Sequence, residues 1–351
     1  MTPSLVTVVT PVFNGAEHLA ATLNSVGHQT MQSWEHIVVN DGSTDDSAEI
    51  VRHQCSLDSR VSLVQQNNQG LSAARNVGFQ HASDTARYVI FLDDDDLMRP
   101  RCLERLVAAL EAAPESLAAH GEVAAVDASG HHMELARIEA SARRTVVRPE
   151  RIWSRRTDVR HLTPDEPSTI DALAYVLFIY TVGQVLIRRS FFEELGGFDP
   201  LLRVAQDYDL WLRMSSRSPL GFVPEPLLDY RQASGSLSAD QATTRREDLY
   251  ARFKAMTDPT LPPSTRAIVR QMHRHHEWHR AADRFDHLMV ARRERDARRA
   301  VREFLRLSRS AAEAAIATLP IESMYTRRVE HFRRSLTGQA TLGPCDEKLM
   351  K

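Results

Sequence analysis

Four consecutive aspartates, Asp93–Asp96, directly follow the apolar run Tyr88–Leu92, whose pattern is typical of a strand buried on both faces. Carboxylates held together at the end of a strand suit a hard divalent cation such as Mg²⁺ or Mn²⁺. Mg²⁺ is usually bound by one or two carboxylates together with substrate phosphates. Taken alone, the cluster predicts either such a metal site or a solvated acidic turn before the next helix.

Two further polar segments carry residue types suited to a nucleotide. Asp41 stands in the turn Asn40–Ser43, where its carboxylate either accepts an N–H group of a base or simply precedes a helix start. The segment Gly70–Arg75 combines a glycine with a predicted helix start, which suits phosphate or ribose. The chain has neither a P-loop signature nor a GxGxxG segment, which argues against a P-loop protein or a nicotinamide-cofactor protein.

The elements that must position these residues alternate regularly. β-branched runs predict strands at 5–10, 36–39, 61–64 and 88–92, and apolar spacing and helix-start signals predict helices at 16–26, 44–52 and 71–82. This alternation predicts an α/β fold with a mostly parallel sheet and helices on both faces. Each polar cluster follows the carboxyl end of a strand, which is the edge where open α/β sheets bind ligands.

Beyond residue 100 the pattern is less regular. It predicts helices at 101–112, 171–179 and 208–214, strands at 118–126 and 183–187, and a polar excursion at 131–165. The apolar run Ala172–Ile187 is shorter than the ~18 residues of a membrane span. It also contains Thr181, Gly183 and Gln184, so it predicts a buried helix followed by a strand.

The composition excludes several classes of protein. With 351 residues, 42% hydrophobic and 26% charged, the chain is an ordinary globular protein rather than a disordered or collagenous one. The net charge of −2 gives no electrostatic case for nucleic acid as a partner. The three cysteines form no disulfide framework and the N-terminus lacks the pattern of a signal peptide. We therefore expect a cytoplasmic protein.

Five motifs in order resemble those of the family 2 inverting glycosyltransferases, which have the GT-A nucleotide-diphospho-sugar fold. The resemblance spans residues 4–238 and implies a nucleotide-binding half at 1–100 and an acceptor-side half at 101–238. A C-terminal helical extension would occupy 239–351. The motifs are Val9–Asn14, Val38–Asp45, Asn68–Asn76 and Phe91–Asp96, with a fifth formed by Gly196–Asp199 and Gln206–Arg213.

The resemblance also assigns roles to individual residues. Asp41 would hydrogen-bond a uracil ring, Asp95 would be the main ligand of the metal, and Asp93 would hold the ribose or a second position at the metal. Asp207 matches the acidic residue proposed as the catalytic base. The implied nucleotide-sugar-binding set is Pro11, Val12, Phe13, Asn14, Asp41, Gly70, Arg75, Asp93 and Asp94.

The implied reaction is a metal-dependent, inverting transfer of a sugar from a nucleotide-diphospho-sugar, expected to be UDP-linked. The acceptor would be a hydroxyl of a glycan or lipid-linked molecule in bacterial cell-envelope or exopolysaccharide synthesis. Two departures, Gln206 in place of Glu and Ala233 where the family often has histidine, leave a non-catalytic nucleotide-sugar-binding scaffold as the alternative. A nucleotidyltransferase is disfavoured because Pro11–Gly15 is not a glycine-rich loop.

The extension is rich in arginine and predicts helices. Three roles stay open for it: packing on the catalytic domain, forming a homo-oligomer, or touching the inner face of an anionic membrane as a peripheral protein. The histidines between His273 and His279 do not form an HExxH motif, so a helix face is favoured over a zinc site there.

Overall fold

The computed structural model describes residues 5–133, 145–147, 159–175, 177–232 and 240–273. The strands are β1 (Val6–Val12), β2 (Trp34–Asn40), β3 (Val61–Gln65), β4 (Tyr88–Phe91), β5 (Leu97–Met98), β6 (Ala118–Val126), β7 (Thr145–Val147), β8 (Val159–His161), β9 (Val185–Arg188) and β10 (Gly221–Arg231). The α-helices are α1 (Ala16–Gly27), α2 (Ser47–Leu57), α3 (Leu71–Gln80), α4 (Cys102–Ala112), α5 (Ile170–Tyr175), α6 (Arg189–Leu195), α7 (Gln206–Ser215) and α8 (Gln241–Thr257).

Eight of these strands form one sheet in the order β3-β2-β1-β4-β9-β6-β10-β5. The first four pair in parallel, as do β6 and β10, whereas β9 and β5 run antiparallel to their neighbours. The prediction of a mostly parallel α/β sheet is therefore confirmed. The parallel strands β1, β2 and β4 end at one edge, so their following loops meet there.

The sheet is buried on both faces because successive residues of its central strands enter different cores. Val8 and Ile90 belong to the core that includes residues of α1 and α4, whereas Val9 and Phe91 belong to the core that includes α6 and α7. Strand β4 is accordingly buried along its whole length, as its apolar run predicts. Burial on both faces fixes the register of β4 and hence the position of the aspartates after it.

Several elements were not predicted from the sequence. Strand β10 contains Pro224 and Pro226, which weaken its strand pattern, and its pairing with β6 shifts register around Pro226. Helix α6 and the short strand β5 also carried no periodic signal long enough to be recognised. The run at 172–187 is a buried helix followed by a 3₁₀ turn and a strand, in agreement with the prediction.

Residues beyond the recognised motifs also pack into the compact unit Met1–Met272. Ala251 and Ala255 of α8, and Val269 of a helical segment described over 263–273, lie in one apolar cluster with Tyr208 and Leu212 of α7. The boundary after residue 238 stays a prediction. Ala233, most of the histidine cluster and the arginine-rich region from 274 lie outside the described residues. Within the described ranges, no helix is long and apolar enough to cross a membrane.

Candidate active site

The loops after β1 and β2 are fastened to each other at the edge of the sheet. Asn14 has a left-handed φ of 56°, its Oδ1 accepts from the Thr44 backbone N–H at 2.8 Å, and its own N–H donates to Ser43 Oγ at 3.0 Å. Phe13 precedes it with 52% of its surface exposed, whereas Val12 is buried. The paired loops therefore present an aromatic face to solvent at the strand ends, as a base-stacking residue requires.

Asp41 organises the loop between β3 and α3. Its Oδ1 accepts hydrogen bonds from Gln66 Nε2 at 2.7 Å and the Gln69 N–H at 2.8 Å, and its Oδ2 accepts from the Gly70 N–H at 2.8 Å. The carboxylate is buried. Since a carboxylate has about four acceptor positions, these three donors leave room for about one more. The contact of Asp41 with a base stays a prediction, and the structure makes this carboxylate the group that holds the Gly70 backbone in place.

Gly42 permits a close approach that no other residue allows. Its φ is +78°, and a Cβ atom there would lie 2.9 Å from the Asn68 backbone nitrogen. We expect Gly42→Ala to lower the free energy of unfolding by about 1–3 kcal/mol, because the substitution combines left-handed strain with a backbone clash. Urea unfolding followed by circular dichroism measures this change.

Gly27 provides the matched control for that substitution. It ends α1, and a Cβ there would meet nothing within 4 Å. Gly27→Ala should therefore leave stability unchanged or raise it by up to about 1 kcal/mol. Equal stability of the two variants would contradict the role given to Gly42.

The four aspartates after β4 take up four different environments. Arg75 Nη2 donates to Asp93 Oδ1, whereas the Asp94 carboxyl is turned to the β1–α1 loop, where a Cβ on Gly15 would lie 1.9 Å from Asp94 Oδ2. Asp96 is fully buried. In the part of the chain that the structure describes, no other residue donates a hydrogen bond to the Asp95 carboxylate, whose own backbone N–H does so. Packing thus divides the four aspartates into carboxylates that support the turn and carboxylates that are available to a ligand.

Burial and mutual repulsion raise the pKa values in this cluster. Burial, followed by the charge of Asp93, raises the pKa of Asp95 to about 6. Burial and the charges of Asp95 and Asp93 raise the pKa of Asp94 to about 7. The pKa of Asp96 is raised well above its ordinary value, chiefly by burial. The protein therefore stabilises the ionised carboxylates of this turn only in part, which is the condition that a divalent cation relieves.

The donor set suits a cation that is completed by a substrate. In the described ranges, no three His, Cys, Asp or Glu side chains converge as an all-protein metal site would require. Asp95, whose carboxylate is bonded by no other described residue, and Asp93 nevertheless supply the one or two carboxylates that Mg²⁺ typically takes beside phosphate oxygens. The predicted ligands Asp93 and Asp95 thus fit Mg²⁺ or Mn²⁺ in the presence of a diphosphate.

Two residues that the sequence did not single out hold the aspartate turn in shape. Thr181 Oγ1 lies 2.7 Å from Asp96 Oδ2 and 3.3 Å from Asp93 Oδ2. The backbone N–H of Arg231 donates to Asp96 Oδ1 at 3.1 Å, and its Nε donates to the Asp95 carbonyl at 3.0 Å. The signal for Thr181 was a polar residue inside an apolar run. For Arg231 no local signal exists, because its partners are distant in sequence.

Asp207 lies at the start of α7 and is partly exposed. Burial raises the pKa of its carboxyl to about 7, an effect that the Arg75 guanidinium opposes and the Asp93 carboxylate reinforces. The three side chains are therefore within electrostatic range of one another. The pKa of Tyr230 is raised to about 12 by burial and then by Asp96, Asp93, Asp95 and Asp207. This tyrosine is accordingly within electrostatic range of both the aspartate turn and Asp207.

Helix α3 joins the aspartate turn to the segment that carries Asp207. Asn76 accepts from the Phe198 N–H and donates to the Phe198 carbonyl, both at 2.9 Å, and Ser72 Oγ donates to the Leu202 carbonyl at 2.9 Å. Arg75 is 1% exposed, with its guanidinium 5.2 Å from the Phe198 ring centroid. The predicted residues Arg75, Asp93 and Asp207 are thus brought together by one helix.

The model of the family described as Glycosyl transferase family 2 matches residues 7–196, more than half of the chain. The chain belongs to glycosyl transferase family 2. The matched residues include β1 to β9 and all four aspartates, whereas Asp207 lies beyond them.

Solved structures support the same fold for this family 2 protein. It is similar to S. aureus TarS 1–349 in complex with UDP-GlcNAc, with a TM-score of 0.60, 15% identity and coverage of 97% of this chain and 94% of that one. It also resembles the mannosyltransferase PcManGT of Pyrobaculum calidifontis in complex with GDP-Man and Mn²⁺, with a TM-score of 0.54, 19% identity and coverage of 97% and 84%. At these identities the likeness establishes the GT-A fold alone.

Curated relatives agree with the family assignment. RfbC of Myxococcus xanthus, an O-antigen biosynthesis protein, is 29% identical over 236 residues, which are 66% of this chain and 16% of that protein. Three other curated relatives are likewise much longer, since the matched region covers between 14% and 34% of their length. The family 2 protein therefore has relatives of the cell-envelope polysaccharide type.

Proposed function

We propose that this chain is a metal-dependent, inverting glycosyltransferase that moves a sugar from a UDP-linked donor to a hydroxyl of a glycan or lipid-linked acceptor. The observation that carries the proposal is that the buried Arg75 guanidinium pairs with Asp93, and that Asp93 is within electrostatic range of both Asp95 and Asp207. Asp95 is thereby available on the leaving-group side, and Asp207, whose pKa is near neutrality, suits proton removal.

The hydrogen bonds of Asp41 favour a uracil base over guanine. Guanine presents two adjacent kinds of N–H donor to a carboxylate, whereas uracil presents one. Asp41 Oδ1 already accepts from Gln66 and Gln69, so about one acceptor position is left, on Oδ2. A pyrimidine with a single N–H group, stacked on the exposed ring of Phe13, meets this condition. TarS, the structural neighbour solved with UDP-GlcNAc, is consistent with such a donor.

Asp95 and Asp93 would hold the divalent cation beside the donor diphosphate. When bound, such a cation neutralises the charge that develops on the leaving diphosphate. Arg75 holds Asp93 by a hydrogen bond, and Thr181 and Arg231 fix the turn. The carboxylates therefore do not need to reorganise when the donor binds. The Mn²⁺ bound to PcManGT supports the choice of metal.

Asp207 would accept the proton of the acceptor hydroxyl as that oxygen attacks the anomeric carbon. The new glycosidic bond forms as the bond to the diphosphate breaks, and a single base with in-line attack inverts the anomeric centre. A pKa of about 7 suits a general base that operates near neutral pH. Gln206, in place of the family's Glu, is buried and adds no second charge next to the base.

The acceptor and the place of the reaction are inferred from a relative and from the composition. The likeness to RfbC supports an acceptor in envelope or exopolysaccharide synthesis. The absence of a cysteine framework favours a reducing compartment, in keeping with work on the cytoplasmic side of the membrane. The described part of the C-terminal region, residues 240–273, packs against α7. For residues 274–351 the proposed roles are packing on the catalytic domain, self-association and peripheral membrane contact.

A thermal-shift and calorimetric screen of UDP-, dTDP- and GDP-sugars, each with and without Mn²⁺, tests the donor assignment. We expect UDP-sugars with Mn²⁺ to stabilise the chain most, by about 2.7 kcal/mol at a ligand concentration 100 times Kd. GDP-sugars should stabilise it least. Stabilisation by GDP-sugars above UDP-sugars would overturn the assignment of the base, and binding without turnover on any acceptor would favour the non-catalytic scaffold.

A further inference from the structure

Helix α8 reaches the segment that carries Asp207 through a buried carboxylate. Glu247 is 7% exposed, and its Oε2 accepts hydrogen bonds from three consecutive backbone N–H groups: Arg203 at 2.9 Å, Val204 at 2.7 Å and Ala205 at 3.2 Å. These residues form the turn that leads directly into α7. Within the described ranges, every hydrogen bond of Glu247 is made to this turn.

The turn needs an acceptor that its own side chains do not provide. Ala205 stands at the N-cap of α7 and makes no capping hydrogen bond, because its side chain has no polar atom. Hydrogen bonds between a carboxylate and backbone N–H groups are charge-assisted and stronger than neutral ones. A carboxylate at this end of a helix is also favoured by the helix dipole. Glu247 on α8 therefore supplies the hydrogen-bond acceptor that the residues just before Asp207 lack.

A second residue on the same face of α8 holds the other side of this segment. Lys254 Nζ lies 2.8 Å from Asp199 Oδ2 and 2.8 Å from Asp209 Oδ1. Glu247 and Lys254 are seven positions apart, which places them on one face of the helix. Asp207 thus lies on a segment that α8 fastens both before and after it. Lys254 neutralises two buried carboxylates, so its substitution would destabilise the fold. A Lys254 variant therefore could not test a positioning role by itself.

We propose that Glu247 is a positioning residue for the transfer reaction, holding the 203–205 turn so that the Asp207 carboxylate faces the acceptor hydroxyl. This inference rests on the proposed function, because it requires Asp207 to be the base. Glu247 makes no described contact with the residues assigned to the donor, so it acts through the turn. A displacement of about 1 Å in a catalytic group can lower the rate about 100-fold.

The test compares Glu247→Ala and Glu247→Gln with Glu115→Gln, a matched change at an exposed carboxylate. Binding is measured by calorimetry with UDP and Mn²⁺. Turnover is measured as UDP release from the UDP-sugar that stabilises the chain most, with a panel of octyl glycosides as acceptors. We expect kcat to fall about 100-fold in Glu247→Ala and about 10-fold in Glu247→Gln, which keeps one acceptor oxygen. The KM for the donor and the Kd for UDP should stay within about twofold, since the donor site is not touched.

Two measurements separate positioning from a structural role. Amide hydrogen exchange should become faster in peptides covering 203–209 of both Glu247 variants and stay unchanged in peptides covering 66–75; this readout does not depend on turnover. Combining Glu247→Ala with Asp207→Asn should cost no more than Asp207→Asn alone, because residues that act as one unit are not additive.

The inference is overturned by unchanged exchange over 203–209, by wild-type kcat in Glu247→Ala, or by a loss of UDP affinity as large as the loss of kcat. Additive losses in the double variant would overturn it as well. Full turnover in Asp207→Asn alone would overturn the assignment of the base and the inference with it, whereas an inactive Asp207→Asn beside a fully active Glu247→Ala would overturn the inference only.

Discussion

Replacing Asp207 with asparagine is expected to lower kcat about 1,000-fold, because a positioned general base contributes roughly 10²–10⁴-fold to a proton-transfer step. Asparagine keeps the size and the hydrogen-bonding shape of the side chain, so the start of α7 should survive. Burial raises the pKa of Asp207 to about 7. Asparagine does not titrate, so this pKa shift has no counterpart in the variant. The Kd for UDP, measured by calorimetry with Mn²⁺, should stay within about twofold of the wild-type value.

Asp84→Asn is the matched control, since its side chain is fully exposed and lies on the loop before β4. It should retain wild-type kcat. In the wild type, kcat/KM should rise as the pH increases through about 7, because the base must be ionised and its pKa is raised. A cation bound at Asp95 favours the ionised form, so this limb should lie at or below pH 7. A wild-type rate in Asp207→Asn would show that another group removes the proton.

Replacing Asp95 with asparagine is expected to abolish the dependence of UDP binding on Mn²⁺ and to lower kcat/KM by about 100-fold or more. The reason is that charge stabilisation by a bound cation contributes several kcal/mol, and each 1.36 kcal/mol corresponds to about tenfold in rate. Because no other described residue donates a hydrogen bond to the Asp95 carboxylate, the substitution should leave the melting temperature of the free protein unchanged or raise it as repulsion with Asp93 falls. Calorimetry with and without EDTA, together with thermal unfolding, measures these effects.

Asp96→Asn gives the contrasting result that identifies the ligand. Asp96 is buried and bonded to Thr181 and the Arg231 backbone, so its substitution should lower the melting temperature. If Asp95→Asn retained Mn²⁺-dependent binding of UDP while Asp96→Asn lost it without loss of stability, the ligand assignment within the cluster would be wrong.

The N-terminal part of the sheet was predictable because its signals are local. Strands β1 to β4 are short β-branched or apolar runs, and parallel pairing brings their carboxyl ends to one edge. The polar clusters around Asn14, Asp41, Gly70 and Asp93 therefore had to meet at that edge. The family motifs placed Asp207 near them, although the family model itself ends before this residue.

The functions of single side chains within those clusters were less accessible. Asp41 and Arg75 were both expected to face the ligand. The structure shows that Asp41 also holds the turn at Gly70 and that Arg75 is buried behind Asp93. Among four identical aspartates, only packing distinguishes the carboxylate turned to Gly15 from the one that no other described residue bonds. Periodicity reports which face is buried and contains no information on hydrogen-bond partners.

By itself, the sequence determined the α/β class, the edge of the sheet where the site lies and the residue types that meet there, because each of these follows from patterns a few residues long. The tertiary structure alone decided which groups support the site. Thr181 and Arg231 reach Asp96 across 85 and 135 positions, and Glu247 reaches Arg203 across 44. Such contacts form only when whole elements pack, since their free energy depends on the geometry of distant chain segments and on the exclusion of water between them.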